Sequence, residues 1–362
     1  MAPMRWDIFC RVIDNFGDVG VCWRLCADLA QRGEQVRLWL DDPQALTWMA
    51  PGALEGQWPG IEVLHWSTPL VPGMADGLPP ADVWIEAFGC EPPTECIDAL
   101  ATRVAAGQSA PVWINLEYLS AEPYVERSHR LPSPVMSGPL RNAPGGLTKW
   151  FFYPGFTERT GGLLREHDLQ QRQATFDAAV WLQSLGLPPA QHRVSLFCYE
   201  PAALPHVLRQ AAQAPQGVDW LVTPGRAWQA AQAAPAGRLH ALPLLNQRDF
   251  DHLLWACQLN FVRGEDSLVR ALWAGQLFVW QIYPQHDNAH HAKLEAFLRW
   301  LQAPASLRAF HLAWNGIDSQ PAVWPGPDDL DDWRACVQAA RARLLAQPDL
   351  CTQLIGFAAA KR

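Results

Sequence analysis

Residues 6–25 read WDIFCRVIDNFGDVGVCWRL. The opening run, WDIFCRVI, is apolar and predicts a strand buried on both faces, the pattern of a parallel sheet. The closing run extends as VGVCWRLCADLAQRG and predicts a helix that stops with Gly33 as its C-terminal cap. A second strand, EQVRLWLDD, follows, so the segment is a βαβ unit. The joining turn holds Asp14, Asn15, Phe16, Gly17, Asp18 and Gly20. It is neither the Gly-rich dinucleotide fingerprint nor a phosphate loop, which disfavours a nicotinamide dehydrogenase. Gly17 and Gly20 permit tight turning and close approach of a ligand. A helix N-terminus ordinarily attracts anions, yet this one carries two acids. Helix capping accounts for one aspartate. Two acids astride a glycine point to a bound cation or to a proton acceptor.

Outward from this unit, IEVLHWS, ADVWIEAFG and PVWINLEYLS read as further short strands. Asp41, Asp42, Glu86, Gly89 and Glu117 lie at their C-terminal ends, the edge where open α/β sheets bind ligands. KWFFYPGFTERTGGLL (149–164) is aromatic and aperiodic and is expected to close a first domain and lead into a linker. The pattern then restarts. RVSLFCYE, VDWLVTPG, RLHALP and QLNFV read as strands, with helices between them and a strand LFVWQ after. DDLDDWRACVQAARARLLAQ is a late amphipathic helix, with Asp331 and Asp332 expected near its positive end. The expected architecture is α/β: two Rossmann-like domains, residues 1–170 and 176–347, facing each other across a cleft.

Composition narrows the class. The 362 residues exceed one ordinary core and favour two domains. Hydrophobic residues make up 49% and charged residues 18%, as in a packed globular protein. The net charge of −8 and the lack of a basic block argue against non-specific nucleic-acid binding. Nine cysteines, an odd number with no C-x-x-C pair, predict a reducing, cytoplasmic protein. Cys22 and Cys26, four apart on the first helix, are expected to pack. No secretory signal and no membrane-spanning run are evident.

A second constellation lies in NFVRGEDSLVRALWAG (260–275). A strand runs into Arg263, Gly264, Glu265, Asp266 and Ser267, and a helix closes at Gly275. Asp266 or Ser267 can cap that helix, whose first amides would meet a diphosphate. Glu265 can accept hydrogen bonds from ribose or sugar hydroxyls. In FCYE (197–200), Phe197 and Tyr199 alternate onto one face, suited to stacking on a base. In NQRDFDHL (246–253), Gln247 offers a base-edge hydrogen bond and Phe250 a second ring. His286, His290 and His291 lack the acidic companions of a metal set, so no metal and no cofactor are expected.

Together WDIFCRVIDNFGDVGVCWRL, FCYE, LNFVRGEDSLVRALWAG and FVWQIYPQ resemble the bacterial protein-arginine rhamnosyltransferases of the EarP family, over nearly the whole chain. The resemblance implies a GT-B fold whose C-terminal tail, about residues 348–362, returns to the first domain. It implies inverting transfer of L-rhamnose from dTDP-β-L-rhamnose to an arginine of elongation factor P. By the same matching Asp14, Asp18 and Glu265 are catalytic. Asn15, Phe16, Gly17, Phe197, Tyr199, Gln247, Phe250, Arg263, Gly264, Asp266 and Ser267 bind the donor. A cationic, planar guanidinium suits two carboxylates, and Asp18 is assigned as the base with Asp14 orienting, roles that can be exchanged. Two other readings use the same residues: a nucleotide-sugar enzyme acting on a small molecule, and a non-catalytic module gripping a basic loop. In the first, two charges would face a neutral acceptor.

Overall fold

The computed structural model describes every residue except 1, 13–15, 67–69, 71–76, 142, 144–145, 216, 235–236 and 286–287. Asp14, Asn15 and His286 therefore lie outside the described residues. The chain divides into two compact units. One comprises residues 1–167 and 347–362, the other residues 168–346.

In the first unit, strands β1 (Arg5–Cys10), β2 (Gln35–Leu40), β3 (Ile61–His65), β4 (Val83–Ala87), β5 (Val112–Leu116), β6 (Pro132–Pro134) and β7 (Thr148–Phe152) form one sheet. Their order is β3-β2-β1-β4-β5-β7-β6. All pairs are parallel except β6 with β7. The alternation of β1 shows why it is central. Trp6, Ile8 and Cys10 enter one core with Cys22, Leu25 and Leu29 of helix Gly17–Gln31. Phe9 enters the core on the other face with Trp39, Trp84 and Trp113. Its ring centroid is 5.6 Å from that of Trp39 and 5.3 Å from that of Trp84. Tryptophans, numerous in the sequence, thus fill a core layer beneath the sheet.

The segment expected to close the first domain starts with β7, a strand of this sheet. Its K-W-F-F run has no polar alternation, and Trp150 and Phe152, on one face, each meet Phe357 edge-on. Phe357 belongs to the C-terminal helix Leu350–Lys361, whose Leu350, Cys351, Leu354 and Ala358 are buried in the same core as β1. Asp349 caps that helix through the Thr352 amide at 2.9 Å. Arg32 then ties the cap to the first helix, donating to Asp349 at 2.8 Å and Asp28 at 3.0 Å. Asp28, Asp349 and Cys351 are close enough to hold an ion, and Arg32 bridges both carboxylates as a clasp.

In the second unit, β8 (Arg193–Leu196), β9 (Asp219–Val222), β10 (Arg238–Ala241), β11 (Leu259–Arg263) and β12 (Leu277–Gln281) form a sheet in the order β10-β9-β8-β11-β12. Every pair is parallel. Helices Gln247–Ala256 and Gly264–Ala274 are bound together by Arg270, which donates to Asp251 at 2.8 and 2.7 Å in a fully buried pair. Helix Pro327–Leu345 begins with Pro327 after Gly326, a favoured helix start. Asp328 and Asp329 therefore occupy the first turn, and Asp331 and Asp332 lie one turn beyond the position expected for them.

In each sheet the strand order reverses once. The chain runs outward from β1 to β3 on one side and from β4 on the other. In the second unit it runs outward from β8 to β10 and, oppositely, from β11 to β12. Such a reversal opens a crevice at the C-terminal ends of the two strands that flank it. The residues after β1 and β4, and after β8 and β11, hold those positions.

None of the nine cysteines is in a disulfide, and eight are buried. No helix of the described residues is long and apolar enough to cross a membrane.

His311 gives the second unit a built-in pH dependence. Its ring is fully buried; Nε2 accepts the Trp280 amide at 3.0 Å and Nδ1 donates to the Leu307 carbonyl at 2.9 Å. Burial lowers its pKa from 6.5 to about 4. Above about pH 6.5 neither the folded nor the unfolded chain protonates this ring, and its stability contribution is complete. As pH falls toward 4 only the unfolded chain takes the proton, so stability is lost. From pH 7 to pH 5 the loss from this group is about 2 kcal/mol. Denaturant melts of wild type and His311→Asn at both pH values should show the wild type losing about that much more.

Candidate functional site

Helix Gly17–Gln31 starts directly after the acidic turn, with Phe16 as its N-cap and no side-chain cap bond. Asp18 is the second helical residue. It does not cap the helix, although its charge suits the helix's positive end. The Tyr118 hydroxyl donates to Asp18 Oδ2 at 3.1 Å. Upstream, the Val12 amide donates to Asp41 Oδ1 at 2.8 Å, which fixes the chain as it enters the turn. Phe16 is exposed and meets Trp48 edge-on at 6.1 Å, and Gly17 is exposed beside it. Asp14 and Asn15 lie outside the described residues.

The other acids at this edge have local tasks. Lys149 donates to both Glu86 oxygens, at 2.9 and 3.0 Å. Asn115 donates to Glu117 at 3.0 Å, while burial raises the pKa of Glu117.

The edge of the second unit has the opposite character. The Arg263 guanidinium lies 4.3 Å from the Phe197 ring centroid and 4.6 Å from that of Tyr199. The two rings do share a face, as the alternation in FCYE predicts, and a cation fills the space between them. Arg263 also donates to the Cys198 carbonyl at 2.8 Å, and its burial lowers its pKa. Phe250 meets Phe197 edge-on at 5.4 Å. Gln247 stands one turn earlier, as the first residue of helix Gln247–Ala256. Phe197, Tyr199, Phe250 and Arg263 are thus one cluster, with Gln247 adjoining it.

Helix Gly264–Ala274 begins four residues earlier than a cap at Ser267 would require. Arg263 is the N-cap, and no side chain caps the helix. Neither Asp266 nor Ser267 serves as the cap; the Ser267 hydroxyl is buried and donates back to the Arg263 carbonyl. Gly264 makes the early start possible. Its φ of +73° is a left-handed conformation natural to glycine, and Trp280 Nε1 holds its carbonyl at 2.8 Å. Glu265 and Asp266 fall in the first turn, and the close of the helix at a left-handed Gly275 is as expected.

Four further side chains complete these edges. Lys293 forms a salt bridge with Glu265. Tyr283 meets Tyr199 edge-on at 5.6 Å, and Arg226 lies 5.4 Å from the Tyr199 ring while paired with Glu200. Tyr118 is the fourth. Of these only Tyr283 lies within a motif of the sequence, FVWQIYPQ; the others arrive from distant segments. The second unit's edge therefore gathers cations, aromatic faces and the start of a helix, a set suited to a nucleoside diphosphate. The first unit's edge presents a carboxylate at a helix mouth, suited to a cation.

Two parallel α/β units with this pair of edges define a GT-B glycosyltransferase. The family model described as "Elongation-Factor P (EF-P) rhamnosyltransferase EarP" matches residues 6–359, and the chain belongs to that family. A protein-arginine rhamnosyltransferase of Pseudomonas putida is 43% identical over 387 aligned positions, covering 97% of this chain and 98% of the relative. Its counterpart in Pseudomonas aeruginosa is 41% identical over 389, with the same coverage. A solved structure described as "Structural basis for EarP-mediated arginine glycosylation of translation elongation factor EF-P" is 28% identical, with a TM-score of 0.63, covering 99% of this chain and 100% of that one.

Proposed function

We propose that this protein transfers L-rhamnose from dTDP-β-L-rhamnose to one arginine side chain of elongation factor P, in the cytoplasm, with inversion and without a metal. Family membership supports the sugar and the arginine, since the relatives are named protein-arginine rhamnosyltransferases. The observation that carries the chemistry is Asp18, a carboxylate in the first turn of a helix at the sheet's switch point. A helix mouth normally recruits anions, so an acid there fits an enzyme whose acceptor is a cation.

In the reaction a guanidinium nitrogen attacks the anomeric carbon as the bond from that carbon to the diphosphate oxygen breaks. The diphosphate departs with the electron pair. The nitrogen's lone pair is delocalised, and full deprotonation beforehand is excluded by the guanidinium pKa. Asp18 instead polarises the group and takes its proton as attack proceeds. Asp14 orients the acceptor. Phe197, Tyr199, Gln247 and Phe250 receive the thymidine, and Arg263 with the first amides of helix Gly264–Ala274 takes the growing charge on the leaving group. The Ser267 hydroxyl donates to the Arg263 carbonyl, which supports giving that task to Arg263 and the amides, with Glu265 reserved for sugar hydroxyls.

Two substitutions test these roles. Asp18→Asn should lower transfer by about 10²–10⁴-fold, the usual range for a lost general base, with dTDP affinity unchanged. Near-normal turnover would remove the base role. Glu265→Ala should raise the donor KM about tenfold or more and leave the acceptor KM near the wild-type value. A change confined to the acceptor KM would place Glu265 on the wrong substrate.

A further inference from the structure

Phe88 immediately follows β4 and Tyr118 stands two residues after β5, at the edge that carries Asp18. Their arrangement is more constrained than a surface pair requires. Phe88 has φ +59°, a left-handed backbone that a bulky aromatic rarely adopts. Its amide is held by the Leu116 carbonyl at 2.8 Å, and Gly89 continues the turn with φ +73°. Strain of this kind persists only where surrounding structure enforces it, and it gathers at functional sites. The result is a parallel stack: the Phe88 and Tyr118 rings lie 4.6 Å apart at 20°. Phe88 thus covers one side of Tyr118, yet 41% of Tyr118 remains exposed. The same tyrosine reaches Asp18 Oδ2 with its hydroxyl at 3.1 Å.

We propose that the Phe88–Tyr118 stack is the platform on which the acceptor's guanidinium lies, with Tyr118 both offering its ring face and fixing the Asp18 carboxylate. This rests on the arginine transfer proposed above and goes beyond it by naming the residue that selects a planar cation. A guanidinium has two recognition surfaces. Its edge carries donors that match a carboxylate, and its face stacks on aromatic rings. Asp18 meets the edge and Tyr118 the face. An ammonium has no such plane, so the pair distinguishes arginine from lysine by shape at equal charge. The phenol adds a second effect. By donating to one Asp18 oxygen it sets the carboxylate's orientation, so Tyr118 is a positioning residue for the base and a contact for the acceptor.

The two roles separate in two variants, Tyr118→Phe and Tyr118→Leu, assayed with dTDP-β-L-rhamnose and elongation factor P and titrated with dTDP. Tyr118→Phe keeps the ring, so its acceptor KM should stay within about twofold of wild type while kcat falls about tenfold. Tyr118→Leu loses the ring as well, and its acceptor KM should rise about tenfold or more. Affinity for dTDP should be unchanged in both. A wild-type acceptor KM in Tyr118→Leu, or equal acceptor KM changes in the two variants, would overturn the platform. If the wild-type enzyme itself adds no sugar to elongation factor P, the transfer reading fails first and the platform with it.

Discussion

Each sheet depends on one topological constraint. Strands that run parallel must be joined by crossovers, and when the crossovers on two neighbouring strands leave in opposite directions, nothing covers the strand ends between them. That happens between β1 and β4 and again between β8 and β11. The acidic turn follows β1 and Phe88 follows β4, while FCYE follows β8 and RGEDS starts on the last residue of β11. Helices Gly17–Gln31 and Gly264–Ala274 both begin there without a side-chain cap. Their first amides are the fixed partial charges around which each edge is built.

The same backbone feature has different surroundings in the two units. In the second unit Arg263, Arg226 and Lys293 stand around the helix start, the latter two paired with Glu200 and Glu265, and Phe197, Tyr199, Tyr283 and Phe250 supply faces. In the first unit the helix start is countered by Asp18 and flanked by Tyr118 and Phe88. The proposed transfer uses the second unit's edge for the anionic donor and the first unit's edge for the cationic acceptor. A transferase that removes a sugar from an anionic leaving group and delivers it to a guanidinium needs both.

Much of this was legible in the sequence because it is local. A strand, a turn and a helix in WDIFCRVIDNFGDVGVCWRL, and again in LNFVRGEDSLVRALWAG, are fixed by apolar runs and by glycine within a few residues. Gly275 as a helix end and the shared face of Phe197 and Tyr199 follow from the same short-range rules. The failures are of two kinds. β7 lacks polar alternation because Phe357, some two hundred positions later, covers one side of it, so no local pattern marked it as a strand. The helix start at Gly264 was displaced because Ser267 looks like a cap in sequence, whereas its hydroxyl turns back to the Arg263 carbonyl. Lys293 comes to its edge through tertiary packing, and the contact of Tyr118 with Asp18 joins segments a hundred positions apart. The roles of Asp18 and Glu265 came from family resemblance and general chemistry, and for Asp14 the placement of the turn adds nothing.

The most direct measurement is the intact mass of elongation factor P after incubation with this protein and dTDP-β-L-rhamnose, followed by peptide mapping. A gain of one deoxyhexose on a single arginine is the predicted result. An unchanged mass, from a preparation whose dTDP binding is verified by titration, would contradict the assignment of elongation factor P as the acceptor.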